Sequence, residues 1–273
     1  MDNQNLRSNP PGLSLHETSP FVKIDKMDCL EYLSCLPDHS VDLVLTDPPY
    51  FIGYDGGKGW DKQWKTEEDY LQWCKKWTDE CVRVLKPQRM LIVWGTLKTD
   101  TFLKYKLSCL SSHPDLSPQQ EIIWSYNWGG RTKYNFGRKH EYAWCYSKGS
   151  TFLFNADDVK IERRTKNNFR TGEVSETGTI PTAVWQINNH TTSKDFINWH
   201  PTTKNLLVLE RMIRAYTNPG DIVLDIFMGS GSTAVASYRC GRNCIGCEIN
   251  PEYYRKLSER ITKEGADHDP LLK

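Results

Sequence analysis

Val41-Asp42-Leu43-Val44-Leu45-Thr46-Asp47-Pro48-Pro49-Tyr50 is an apolar, β-branched run that stops abruptly on an acid, two prolines and an aromatic ring. A run of this composition predicts a buried parallel strand over Val41 to Thr46. Proline fixes its own φ and restricts the residue before it, so the strand must pass into an extended, rigid turn. That turn holds a carboxylate, a carbonyl and a ring at the C-terminal edge of a strand, where open α/β sheets bind their ligands. The bland alternative is Asp47 as a turn cap and Tyr50 as a core aromatic.

Outward from this stretch, strands and helices alternate. Phe21 to Ile24 predicts a strand, Cys29 starts a helix, and a long helix runs from about Glu67 to Leu85. Thr66 with Asp69 is a capping pair for that helix, and Lys86-Pro87 ends it. Leu91 to Trp94 and Glu121 to Trp124 read as further strands. Lys204 to Tyr216 is amphipathic and helical, with Leu206, Leu209, Ile213 and Tyr216 on one face. Ile222 to Leu224 and Asn243 to Glu248 are strands, and Pro251 opens a last helix. Such alternation predicts an α/β fold, a mostly parallel sheet with helices on both faces. Between Ser147 and Trp199 periodicity fades and Asn and Gly pairs recur. This segment, 147–199, is expected to be an insert outside the sheet. Residues 1–20, polar and proline-containing, read as a flexible arm, 21–264 as the folded domain, and 265–273 as a tail.

Composition narrows the class. At 273 residues with 38% hydrophobic content the chain has enough apolar mass for one substantial core. No stretch approaches the roughly 18 apolar residues of a membrane span, and Met1 to Arg7 lacks a signal-peptide core, so a cytoplasmic location without membrane contact is expected. Nine cysteines form no small-scaffold pattern. Cys244 and Cys247 have CxxC spacing, yet the alternation around Ile245 suits a strand, and structural thiols are expected rather than a metal site. The net charge of +1 excludes a generally basic nucleic-acid protein. Charge is local instead: Arg131, Lys133, Arg138 and Lys139 interleave with Tyr134 and Phe136, and Arg163, Arg164, Lys166 and Arg170 form a second group. Basic stretches of this kind are either solvated surface or a grip on phosphates and bases.

A second motif, Asp225-Ile226-Phe227-Met228-Gly229-Ser230-Gly231, lies between a strand and a helix. Its glycines let the backbone approach a ligand, and Glu248, at the tip of the next strand, stands where a ribose-binding acid belongs in a nucleotide-type site. A tight strand-to-helix turn is the plainer reading of a lone GxG.

From Phe21 to Ile261 the chain resembles the amino-methylating DNA methyltransferases that use S-adenosylmethionine, in the subgroup called β. Asp47-Pro48-Pro49-Tyr50 is similar to their catalytic motif and Asp225 to Gly231 to their FxGxG cofactor motif. His200-Pro201-Thr202-Thr203-Lys204 is similar to the HPTQKP-like segment preceding it. Ile226 stands where the family usually has proline, and Thr203 and Asn205 replace glutamine and proline. The resemblance implies a Rossmann-like, seven-stranded fold with circularly permuted motif order and a small target-recognition insert. It implies S-adenosylmethionine contacts at Asp28, His200, Thr202, Lys204, Asp225, Phe227, Gly229, Ser230, Gly231, Ser232 and Glu248, although Asp28 also reads as a helix cap and His200 as a structural hydrogen-bonder. Trp60-Asp61 resembles a segment that closes over the base, or is a surface turn. Implied partners are double-stranded DNA, with a homodimer and a cognate restriction endonuclease left open.

The chemistry explains the residue types. An exocyclic amine conjugated to a base ring is a poor nucleophile. Hydrogen bonds from its two N–H groups to the Asp47 carboxylate and the Pro48 carbonyl push the nitrogen towards tetrahedral geometry and free its lone pair for the methyl group. Tyr50 is expected to stack on the base, which must first leave the duplex. By resemblance, Asp at position 47 favours adenine N6 over cytosine N4. Methylation of RNA or of a glutamine amide, and a DNA-binding subunit without catalysis, are the alternatives. Enzymes of the first kind place the cofactor motif ahead of the catalytic one. Degenerate motifs would mark the second, and both motifs are intact here.

Overall fold

The computed structural model describes residues 19–53, 56–57, 59–127, 132–162, 178–188, 195 and 197–266. Its elements run β1 (Val22–Asp25), α1 (Cys29–Ser34), β2 (Val41–Thr46), α2 (Glu67–Val84), β3 (Leu85–Gly95), α3 (Asp100–Tyr105), β4 (Leu116–Ser125) and β5 (His140–Lys148). After these come β6 (Val184–Gln186), α4 (Leu206–Tyr216), β7 (Ile222–Asp225), α5 (Ser232–Arg239), β8 (Asn243–Cys247) and α6 (Pro251–Lys263). One sheet takes the order β1-β8-β7-β2-β3-β5-β4-β6, eight strands among the described residues where seven were expected. The pairs from β1 to β3 are parallel, β5 runs antiparallel to both β3 and β4, and β6 is parallel to β4.

Strand β2 sits in the middle and is buried along its whole length. Alternation divides its neighbour β3 cleanly: Met90, Ile92 and Trp94 point into the layer covered by α4, α5 and α6, and Leu91 and Val93 into the layer covered by α1, α2 and α3. Both faces are therefore core, which is why these strands read as continuous apolar runs. The long helix begins with a reciprocal cap, the Asp69 N–H donating to Thr66 Oγ1 and the Thr66 N–H to the Asp69 carboxylate, each at 3.1 Å. Asn205 caps α4 by accepting from the Leu207 N–H at 2.9 Å.

One charge lies in the central strand itself. Asp42 is 2% exposed, but Lys86 at 2.9 Å and Arg89 at 3.0 Å pair with it, and the Ile222 N–H donates to it at 3.0 Å. A buried carboxylate is tolerable only when its lone pairs are used in this way. These contacts lie at the opposite edge from the Asp-Pro-Pro-Tyr turn.

The segment 147–199 does not stay outside the sheet. Val184–Gln186 pairs with Ile123 to Ser125 of β4. Asn155 binds the end of α4, its N–H donating to the Ala215 carbonyl at 2.8 Å and its side-chain amide to the Thr217 carbonyl at 2.8 Å, and Val159 enters the core. A three-residue strand, Val184-Trp185-Gln186, is too short a signal to stand out from a polar stretch, which explains the miss. Ala266, assigned to the tail, is also buried. The calls on residues 1–18 and 267–273 lie outside the described residues.

Candidate active site

Because β2, β3, β7, β8 and β1 are parallel, everything that follows them emerges at one sheet edge. The antiparallel β5 begins there: Tyr142 pairs with Gly95, at the end of β3. The edge therefore gathers Asp28, the Asp-Pro-Pro-Tyr turn, the β4–β5 loop, the segment through Asp225 to Gly231, and Glu248. Strands β2 and β7, which carry the two motifs, are neighbours. The Thr46 hydroxyl donates to Asp225 Oδ1 at 2.8 Å, joining the motifs at their roots. Asp225 is buried, which pushes its carboxyl up to about 6, against hydrogen bonds from Thr233, Thr46 and the Phe227 N–H.

The turn after β2 is held from three sides. The Tyr70 hydroxyl donates to the Pro49 carbonyl at 2.8 Å. Asp61, 1% exposed, accepts the Phe51 N–H at 2.7 Å and the Ile52 N–H at 2.8 Å. Phe51 adopts φ of 55°, a strained conformation for a bulky residue, and its ring stacks on Tyr70 at 5.2 Å. Asp61 is thus a buried anchor of the Asp-Pro-Pro-Tyr turn and not a surface residue. The Tyr50 hydroxyl donates to Asp47 Oδ1, and its ring packs edge-on against Phe102 at 4.8 Å. Burial first, then the Asp47 and Glu141 charges, hold the Tyr50 hydroxyl well above its ordinary range, so it stays a donor. Among the described residues nothing donates to the Pro48 carbonyl.

Beside the turn opens a cleft. Asp28, Pro49, Trp60, Trp73, His200, Thr202, Phe227, Gly229, Glu248 and Tyr253 are among its walls. Glu248 accepts the Gly229 N–H at 2.8 Å and the Asn250 N–H at 2.7 Å, one on each oxygen. Burial outweighs those bonds and pushes its carboxyl up to about 7. Asp28 lines the cleft while capping α1 through the Leu30 N–H at 2.8 Å, so the cap does not remove it from the cleft wall. His200 stands edge-on to Tyr253 at 4.6 Å, and burial pushes it down to about 4, leaving a neutral ring at pH 7. Gly229 has φ of 50°, and a Cβ there would lie 2.9 Å from His200 Nε2. The glycine is therefore required by the histidine under it as well as by the backbone.

Five of the residues expected at the cofactor do not line this cleft. Asp225 is sealed between β2 and α5. Ser230 and Ser232 share a 3.0 Å hydrogen bond and face Arg260, which donates to the Ser230 carbonyl at 2.9 Å and to Ser232 Oγ at 3.1 Å. Gly231, at φ of 75°, lets α5 pack on Leu257. Lys204 turns to the other side of Asp47, contacts its Oδ2, and lies 3.0 Å from Glu141 Oε2. Glu141 was not singled out from the sequence, and Asp61 was read only as part of a segment over the base or a surface turn. Of the expected DNA contacts, Tyr134 is 88% exposed on the β4–β5 loop, beside Lys133, whose Nζ lies 5.2 Å from its ring. Phe136 is 97% exposed, and Arg138 and Lys139 follow it. Arg131, Arg163, Arg164, Lys166 and Arg170 lie outside the described residues. Cys244 and Cys247 are buried in β8, one in each core layer, with thiols pushed up by burial. Among the described residues no helix is long and apolar enough to cross a membrane.

The chain is 32% identical over 250 residues to the type II methyltransferase M.HpaI of Haemophilus parainfluenzae, covering 89% of this chain and 75% of that enzyme. It is 32% identical over 243 residues to the DNA adenine methyltransferase YhdJ of Escherichia coli K12, covering 86% and 80% of the two chains. The PvuII DNA methyltransferase, cytosine-N4-specific, shares the fold at a TM-score of 0.67 with 19% identity, covering 92% of this chain and 96% of its own. M1.HpyAVI, solved as a complex with SAM, superimposes at a TM-score of 0.58 with 24% identity, covering 88% and 99%. The N6/N4 family model described as DNA methylase matches residues 41–260, both motifs and all that lies between them, and the chain belongs to this family of amino-methylating DNA methyltransferases.

Proposed function

We propose that this enzyme transfers a methyl group from S-adenosylmethionine to N6 of an adenine extruded from duplex DNA. The observation that carries the reading is the placement of the Asp47-Pro48-Pro49-Tyr50 turn against the cleft that ends at Glu248, with Pro49 as their shared wall.

The cleft suits the cofactor chemically. Glu248 and Asp28 offer carboxylates to hydroxyl and ammonium donors, and Trp73, Phe227 and Tyr253 offer apolar surface to a purine ring. Trp60 Nε1 is buried without a partner and belongs to the wall, a donor that an acceptor on the ligand would satisfy. When bound, S-adenosylmethionine supplies an electrophilic methyl group on a sulfonium centre. The chain's own residues do the remaining work. Asp47 and the Pro48 carbonyl accept the two amine hydrogens, and half-buried Tyr50 packs beside the base. Extrusion of the base costs a few kcal/mol, about the value of one or two good contacts. Tyr134 and Phe136, exposed between basic residues on the loop at the same edge, are suited to stack on bases while Lys133, Arg138 and Lys139 meet phosphates.

Adenine rests on Asp at position 47 and on the likeness to an enzyme named for adenine. Cytosine N4 is the second reading, because the matching family spans both amines and cytosine presents the same pair of N–H groups. Mapping modified bases in DNA from cells expressing the protein tests the choice. N6-methyladenine at one recurring site is expected, and N4-methylcytosine alone would overturn the adenine assignment.

Glu248 gives the binding step a pH dependence. Its carboxyl, raised to about 7 by burial, carries a proton at lower pH and then cannot accept both ribose hydroxyls. Cofactor binding favours the ionised form, so affinity rises with pH and falls by up to about tenfold per unit below the carboxyl's pKa. Titration calorimetry in buffers of different ionisation enthalpy should detect proton release near pH 6.5, and Glu248→Gln should abolish it. An affinity that is flat from pH 6 to 8 would reject the assignment.

A further inference from the structure

The strongest group of charges outside the cofactor cleft surrounds Lys204. Its side chain is only 7% exposed, yet it ends in an ammonium that touches Asp47 Oδ2 and stands 3.0 Å from Glu141 Oε2. The Trp94 ring lies beneath it, 5.2 Å from Nζ to the centroid. Glu141 is fixed in β5, opposite Trp124, so its position is set by the sheet and not by a loop. Burial works against the ammonium, but the Asp47 and Glu141 carboxylates more than offset it and hold its pKa above the ordinary lysine value.

We propose that Glu141 and Lys204 are positioning residues for the transfer, forming with Asp47 a carboxylate-ammonium-carboxylate triad that holds Asp47 as an acceptor and leaves one surplus negative charge beside the amine. The inference rests on Asp47 as the amine's acceptor. Two carboxylates at one buried site disfavour each other's charge unless a cation stands between them. Lys204 is that cation, and a protonated Asp47 would donate where it must accept. The surplus charge has a use in the chemistry. As the nitrogen-carbon bond forms, the sulfur-carbon bond breaks and its electron pair stays on sulfur, so positive charge arrives on the amine nitrogen. One amine proton then leaves through the Asp47 carboxylate to water. A fixed negative charge nearby favours that movement, and Lys204 with Asp47 alone would be neutral.

The other ionisable groups around the triad are accounted for. Tyr50, on Asp47, and Tyr126, near Glu141 and Lys204, have hydroxyl pKa values raised by burial and remain neutral. His200, facing Asp47, Lys204 and Arg260, is pushed down to about 4 and is neutral above that pH. Asp225, behind Asp47, is raised to about 6, chiefly by burial and in smaller part by the Asp47 charge.

The test is the pH profile of single-turnover methyl transfer to duplex DNA, at saturating S-adenosylmethionine, for wild type, Lys204→Met, Glu141→Gln and the double variant. Lys204→Met should move the acid limb of the profile to higher pH, because the two carboxylates then face each other without the cation. Adding Glu141→Gln should move the limb back, since Asp47 is again without a like charge. Glu141→Gln alone should slow transfer about tenfold with cofactor affinity unchanged, the loss of one charge-assisted contact. A merely structural lysine would not give a limb that shifts and returns. An unmoved limb in folded Lys204→Met, or one that the second substitution leaves displaced, overturns the triad. If Lys204→Met does not bind the cofactor, Glu141→Gln decides, and an unchanged rate there overturns it. A wild-type protein inactive on DNA at every pH overturns the amine-transfer reading and the inference with it.

Discussion

Asp47→Ala removes methyl transfer, lowering the single-turnover rate by about a hundredfold to a thousandfold, while the dissociation constant for S-adenosylmethionine stays within a few-fold. The size of the loss is that of deleting one preorganised polar partner of a transition state. Alanine takes away an acceptor that the amine has no means of replacing, because the only other one in the turn is the Pro48 carbonyl. Cofactor binding is spared because Asp47 is not among the walls of the cleft, whereas Pro49 and Glu248 are. The substitution also frees Lys204, which keeps Glu141 as a neighbour at 3.0 Å and so is not left as an isolated buried charge. Transfer of label from S-adenosylmethionine checks the rate and calorimetry the affinity. A variant that still transfers at the wild-type rate removes Asp47 from the mechanism.

Gly246→Ala unfolds the protein at markedly lower temperature. Gly246 pairs with Asp225 between β8 and β7, and a Cβ at this position would lie 2.0 Å from the Asp225 carbonyl oxygen and 2.6 Å from Met228 Cε. Methionine can move aside, but a backbone carbonyl in a paired strand cannot. The two strands must separate, at a cost of about 3 kcal/mol or more, the upper range for overpacking a core. For a chain of this size that lowers Tm by roughly 6–12 °C. Because Asp225 and Glu248 sit at the ends of these strands, cofactor affinity should fall with stability. An unchanged Tm would mean that the β7–β8 register described above is wrong.

Local chemistry made much of this molecule readable. The apolar run before Asp47, the Thr66–Asp69 capping pair and the heptad-like face of Leu206, Leu209, Ile213 and Tyr216 each depend on neighbours within a few residues, and each became the element it suggested. Asp28, Phe227, Gly229 and Glu248 lie together on one cleft because they follow adjacent parallel strands, and His200, ahead of α4, joins them there. The failures share a different physics. His140–Lys148 carries aromatic side chains that suit a core in any conformation, so its antiparallel pairing with β3 was invisible until that strand was placed beside it. Lys204 was expected at the cofactor from its motif, yet the group it binds lies 157 positions earlier in the chain. Asp61 read as part of a segment over the base or of a surface turn, and only the fold shows the Phe51 and Ile52 N–H groups of the Asp-Pro-Pro-Tyr turn aimed at its carboxylate. Long-range electrostatic partners leave no periodic trace, and the contacts of Lys204 with Asp47 and Glu141 are of that kind.

The central claim is that this edge of the sheet methylates an exocyclic amine of a DNA base. Incubating duplex DNA with the protein and methyl-labelled S-adenosylmethionine, then digesting to nucleosides and separating them, tests it directly. The account predicts label in N6-methyladenine, and none once Asp47 is alanine. Label in 5-methylcytosine, or no label in any nucleoside of DNA that contains the mapped site, would contradict it.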